Sequence, residues 1–236
     1  RTRQKTGTLA FPAQPTNATP YAGMKIVVDA GNGTAWRFIQ TLRELGADVV
    51  VVPGTDTPDG SFPAHHPNPI EPENRALLVQ TIRQSGADLG FGFDGDADRI
   101  IVVRADGQVL EGDRMVMVIA TELLKERKGL TFVSEVMASR AFVEAIEGAG
   151  GHVTITPRGF VFVQDAARRL GAEEAVELSG HMFSRLFGYT NDATFGAIVA
   201  LNTLVKAAGQ QGQPIGRTLI ALDDALPRYS ASGEIR

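Results

Sequence analysis

Three aspartates at alternate positions, Asp94, Asp96 and Asp98, followed at once by Arg99, are the residues of this sequence whose spacing most clearly implies chemistry. They come directly after the apolar run 87–93, which reads as a buried strand, so the acids fall where a strand gives way to a loop. In an extended segment residues i, i+2 and i+4 point to one side. Three carboxylates held that close repel one another unless a hard cation sits between them, and an all-oxygen set suits Mg²⁺ or Mn²⁺. Arg99 adds a planar, permanently charged fork, and a metal with an arginine beside it is what recognition of a phosphoryl group needs.

Other readings of the same loop stay open on spacing alone. A solvated acidic turn would also place these residue types here. An EF-hand is excluded, since counting from Asp94 puts Arg99 at its glycine position and Ala105 at its terminal glutamate. An Mg²⁺-dependent aspartyl phosphatase of the haloacid-dehalogenase type would use Asp94 as nucleophile and Asp96 as acid, leaving the third carboxylate and the arginine surplus. A noncatalytic module that binds sugar phosphate is a third reading.

A second cluster, Glu177-Leu178-Ser179-Gly180-His181, sets an acceptor, a hydroxyl and an imidazole where another strand meets a glycine turn. Sugar hydroxyls donate and accept at once, so a carboxylate beside a serine can hold two neighbouring hydroxyls. Gly31-Asn32-Gly33 could cradle a phosphate at a helix start, but Trp36 occupies the third glycine of a dinucleotide fingerprint, so a structural turn is the better reading. His65 and His66 stand on the proline-rich loop 53–72, where a packing role is expected of them rather than metal binding.

These loops need elements to hold them. Strands are expected over 24–29, 48–52, 87–93 and 100–103 with 109–110, and helices over 35–45 and 73–84. A second unit alternates helix 114–127, strand 130–135, helix 139–149, strand 152–156, helix 160–170 and strand 174–178. A loop over 179–191 leads to Asp192, which caps a helix reaching 208. The fold class is therefore α/β, as two consecutive domains, each a mixed sheet flanked by helices, with no sequence repeat strong enough to prove duplication. The boundaries are 21–112 for the metal-loop domain and 113–214 for the sugar-loop domain. They leave an N-terminal extension over 1–20 and an exit segment over 215–236, which holds a short amphipathic piece ending at Pro227.

With 236 residues the chain can bury a substantial core. It has no cysteine, which removes thiolate zinc and thiol nucleophiles. A net charge of −4 gives no electrostatic case for nucleic acid, and no stretch has the length of a membrane span or a signal peptide's apolar core. A cytoplasmic protein acting on small molecules is expected.

Taken together, the segments 27–33, Pro67-Asn68-Pro69 with Glu73-Asn74, 94–99 and 177–181 resemble the α-D-phosphohexomutases, in that family's order and approximate spacing from about residue 21 onward. The resemblance implies a four-domain enzyme of which this chain is the second and third domains, with the first and fourth missing. It implies Mg²⁺ on Asp94, Asp96 and Asp98, catalytic support from Arg99, and a hexose phosphate held by Glu177, Ser179 and His181. The family's phosphoserine belongs to a first-domain motif that does not occur here, so the fragment alone is expected to be inactive. Two departures stand out: Val161 takes the place of a usual cation in Gly159-Phe160-Val161, with Arg158 as the expected substitute, and Asn191-Asp192-Ala193 replaces an Asp-Asp-Gly pattern.

Overall fold

The structure, a computed structural model, describes residues 19–110 and 112–229, so the extension expected over 1–20 lies almost wholly outside the described residues. In the first unit β1 (Lys25–Asp29), α1 (Trp36–Glu44), β2 (Asp48–Val51), α2 (Ala76–Ser85) and β3 (Leu89–Phe93) build three parallel strands, and β4 (Ile100–Arg104) and β5 (Val109–Leu110) return antiparallel. The strand order is β2-β1-β3-β4-β5. Strands β3 and β4 are buried throughout, which suits their nearly continuous apolar sequences. Helix α2 starts later than its apolar pattern, because 71–75 form turns in which the Asn74 side chain donates to the Asn68 carbonyl at 2.9 Å.

The second unit repeats this plan. After α3 (Gly112–Glu126), β6 (Thr131–Glu135), α4 (Arg140–Gly148), β7 (His152–Thr156), α5 (Phe160–Leu170) and β8 (Glu174–Val176) give three parallel strands, and β9 (Met182–Ser184) returns antiparallel. Its order, β7-β6-β8-β9, matches β2-β1-β3-β4, a duplication of architecture without a matching repeat in the sequence. Strand β9 and the 3₁₀ turn Arg185–Phe187 fall inside the expected loop 179–191. Three residues are too few to show an alternating pattern.

The two units share one core. Met115 to Ala120 of α3 are all buried, as in a helix covered on every side. One cluster runs from Phe91 and Val102 in the first sheet, through α3 and α6 (Ala193–Gln211), to Phe132 and Val176 in the second. Asp192 caps α6 by accepting from the Thr194 amide, as its position before the helix implied. Within the expected exit segment, Ile215–Asp224 forms α7, which docks on the first unit. Leu219 enters the shared core, the Gly216 amide donates to Asp88, and Asp223 receives Arg104 and Arg114. No helix among the described residues is long and apolar enough to cross a membrane.

Candidate active site

Because the units are duplicated, the two chemistry-bearing loops occupy the same place in each: 94–99 links β3 to β4, and 177–181 links β8 to β9. Both follow the carboxyl end of a parallel strand, where open α/β sheets receive ligands. The structure brings them into contact. Arg99 and His181 form an isolated antiparallel bridge, and the Ile100 amide donates to the Gly180 carbonyl at 3.1 Å. Gly180, at φ +94°, is required here, since a Cβ would lie 2.7 Å from the Ile100 carbonyl oxygen.

The acidic loop curls around Asp94. That carboxylate is buried, and its Oδ1 accepts the Asp98 and Arg99 amides, each at 3.1 Å. Asp94, Asp96 and Asp98 each offer an oxygen, and the three lie within 4.8 Å of one another. Burial raises the Asp94 pKa to about 6; the neighbouring charges of Asp98 and Asp96 raise it too, against the lowering effects of the Arg99 amide and guanidinium. The donor set fits a hard cation: three carboxylate oxygens converge, and their mutual repulsion is what a divalent ion would relieve. Arg99 Nε lies 3.6 Å from Asp94 and 3.8 Å from Asp98, so its charge faces the same space. With Asp94 Oδ1 committed to two amides, a nucleophilic role for this residue is poorly served.

In the second loop His181 is the hub. Its Nδ1 is 2.7 Å from Glu177 Oε2 and 2.9 Å from Ser179 Oγ, and its Nε2 is 3.3 Å from Asp98 Oδ1. Burial would lower its pKa, but the Glu177 hydrogen bond and the charges of Asp98 and Glu177 outweigh this, with Arg99 opposing, and leave it raised. Arg99 Nε lies 3.5 Å from His181 Nε2, so the guanidinium and the imidazole adjoin at the junction of the two loops. A histidine expected to touch sugar lies buried, bridging the two loops. Arg158, the expected substitute cation, is exposed and has no hydrogen bond or ion pair among the described residues. Phe160 is the residue of that segment that reaches the sugar loop, with its ring 5.6 Å from that of His181.

Several supporting residues were not singled out for these roles by sequence reasoning. Asn191 donates to Asp98 Oδ2 at 2.9 Å and the Ala193 amide to the Ala97 carbonyl at 2.9 Å, so the departure from Asp-Asp-Gly is itself a contact to the acidic loop. Buried Glu135, at the end of β6, accepts the Leu178 amide. The Gly31–Gly33 turn is a buttress: the Thr34 amide donates to the Gly95 carbonyl, and a Cβ on Gly33 would sit 2.3 Å from that oxygen. His65 is held by both oxygens of Asp29 at 3.1 Å, and Asn32 ties down the 53–72 loop through Gly54, Thr57 and Ala64. Asp29 and Glu135 end equivalent strands, so a carboxylate at that position was the available signal.

The models of the phosphoglucomutase/phosphomannomutase α/β/α domains II and III match residues 10–107 and 111–222, and the chain belongs to this α-D-phosphohexomutase family. It is 34% identical to a phosphomannomutase of Methanocaldococcus jannaschii over 89% of this chain and 45% of that protein. It is 37% identical to a phosphoglucomutase of Neisseria meningitidis over 74% and 38% respectively. A solved phosphoglucomutase/phosphomannomutase family protein from Burkholderia thailandensis superposes with a TM-score of 0.76 at 34% identity, covering 87% of this chain and 43% of that one. The chain thus spans less than half the length of these relatives. The aspartyl-phosphatase reading is not favoured by these matches.

Proposed function

We propose that this chain supplies the metal-binding and sugar-binding portion of an enzyme that moves phosphate between the 1- and 6-positions of a hexose through a phosphoserine and a bisphosphorylated intermediate. The observation that carries this reading is the junction of the two loops, where Arg99 and His181 pair and the His181 imidazole lies between Asp98 of the carboxylate triad and the Glu177–Ser179 pair. Asp94, Asp96 and Asp98 would hold Mg²⁺, which when bound supplies Lewis-acid stabilisation of a phosphoryl oxygen. Arg99 would face the charge that develops on the transferred group. Glu177 and Ser179 would take adjacent hydroxyls, a short contact that can serve two orientations of one ring. His181 keeps both in place and ties them to the metal loop through Asp98.

On this reading the phosphoryl donor would come from outside this segment, and correct placement of reacting groups contributes roughly 7–11 kcal/mol in favourable cases. The purified chain should therefore bind but not turn over. Glucose 1-phosphate and mannose 1-phosphate followed by phosphorus NMR should stay unchanged with the chain alone and isomerise with the longer protein that contains it. Robust turnover by the chain, or none by the longer protein, would refute the proposal.

A further inference from the structure

A cavity of about 400 Å³ lies between α3 and α6, at the opposite end of β8 from the sugar loop. That volume is in the range of small-molecule sites, roughly 300–1,000 Å³. Leu123, Leu186, Val199 and Ala207 give it apolar walls. Glu174, the first residue of β8, also lines it. Side chains alternate along a strand, so Glu174 points to the same face as Val176, which packs with α3 and α6 in the shared core. The Glu174 carboxyl is therefore directed into the space between the two helices. It is 2% exposed; its Oε1 accepts from Ser184 Oγ at 2.8 Å, and its Oε2 has no hydrogen-bond partner among the described residues. A buried carboxyl oxygen is seldom left in that state.

The other charges of the cavity are matched to one another. Lys125 pairs with Glu122, Lys206 with Glu126, and Arg127 and Arg185 both with Glu173. Among the described residues, Glu174 is the acid of this cavity that no cation meets. Burial pushes its pKa up, the charge of Glu173 adds to this, and the Ser184 hydrogen bond opposes it.

We propose that this cavity is a second ligand site, separate from the sugar loop, and that it takes a small amphipathic amine whose ammonium donates to Glu174 Oε2 while its apolar body lies between α3 and α6. An anion would meet a buried acid and find the cations of the wall already engaged. A neutral alcohol could use the free oxygen, but its hydrogen bond is the weaker, uncharged kind. An ammonium displaces the carboxyl proton to solvent, and the buried pair that results keeps Ser184 as a further donor, which such a pair needs. The apolar body then takes the surface of Leu123, Val199 and Ala207 out of water.

Titration of the chain with phenylpropylamine, phenylpropanol and phenylpropionate, followed by methyl NMR, tests this. The amine should bind roughly tenfold more tightly than the alcohol, the difference between a charge-assisted and a neutral hydrogen bond, and the carboxylate should bind most weakly. Shifts should centre on the methyl groups of Leu123, Val199 and Ala207. Glu174→Gln keeps an oxygen for Ser184 and replaces the acid with an uncharged amide, so the amine should fall to the affinity of the alcohol. An unchanged unfolding transition would confirm that this variant is folded. Thr203→Trp, at a partly buried wall position of α6, should block the amine with Glu174 intact, and it carries the test if the glutamine variant does not fold. Failure of the amine to bind, equal affinities for amine and alcohol, a preference for the carboxylate, or shifts centred elsewhere in the protein would each overturn the proposal. So would an amine preference that survives Glu174→Gln, or amine binding that Thr203→Trp leaves unchanged.

Discussion

A single imidazole couples the two halves of the site. His181 touches Glu177 and Ser179 on one side and the would-be metal ligand Asp98 on the other. Glu177→Ala should lose charge-assisted hydrogen bonds worth roughly 1.5–3 kcal/mol of sugar-phosphate affinity while Mn²⁺ binding, read by calorimetry, persists. If the substitution unfolds the chain or removes the metal site equally, the loop is structural. The metal site has its own signature. Mn²⁺ affinity should vanish in Asp96→Asn/Asp98→Asn, and should be roughly tenfold weaker near pH 5 than near pH 7.5, because protons compete at a carboxyl with its pKa raised to about 6. Equal binding at the two pH values would mean that Asp94 is not a ligand.

At the level of elements, the site is made by loops pressing on loops. The turn after β1 supports the metal loop through a contact only glycine allows, with Gly33 against the Gly95 carbonyl. Gly33→Ala should therefore cost about 1–3 kcal/mol in urea unfolding and weaken Mn²⁺ binding, because a backbone atom has to move. Gly60→Ala, where nothing lies within 4 Å of the added carbon, is the control and should change neither. A Gly33→Ala chain with native stability and metal affinity would show the contact to be incidental. The duplicated plan explains why these loops meet: each is the hairpin between the third and fourth strands of its unit, and the adjoining ends of β4 and β9 pair across the boundary.

Across the whole molecule, α7 pins the end of the described chain to the first sheet. Asp223 is fully buried and receives Arg104, Arg114 and Arg228. Asp223→Ala should cost about 3–5 kcal/mol in denaturant unfolding by leaving buried guanidinium charge short of a partner; a loss below about 1 kcal/mol would show that Asp106 and Asp224 suffice. Stability should also carry a pH slope. Asp94 and Glu174, both by burial, and His65 and His181, through their carboxylate partners, hold protons more tightly folded than unfolded. For the histidines the stabilisation is full below the unfolded pKa and is lost as pH rises through the folded one. For the two acids the folded state binds the extra proton from about pH 4 upward. All four contributions share a sign, so the metal-free chain should be less stable near pH 8 than near pH 5, and Mn²⁺ should restore part of the loss at the higher pH. Chemical denaturation in chelator at both values checks this, and a rise in stability with pH would contradict it.

Local chemistry was legible in the residues alone. The carboxylate triad with Arg99, the Glu177–His181 cluster, the strands and helices that lead into them and the Asp192 cap all follow from patterns within a few residues of one another. The mixed α/β class follows from their alternation. The tertiary structure decided what depends on distant partners. It placed His181 between the two loops, gave Asn191 a carboxylate to bind, and kept Arg158 exposed while turning Phe160 toward the sugar loop. It also gave the amphipathic piece at 215–224 its docking place on the first unit, through Asp88, Arg104 and Arg114. None of these could be read in advance, because strand order and sheet-to-sheet contact set them, and those arise when one core, built from residues nearly two hundred positions apart, closes around α3 and α6.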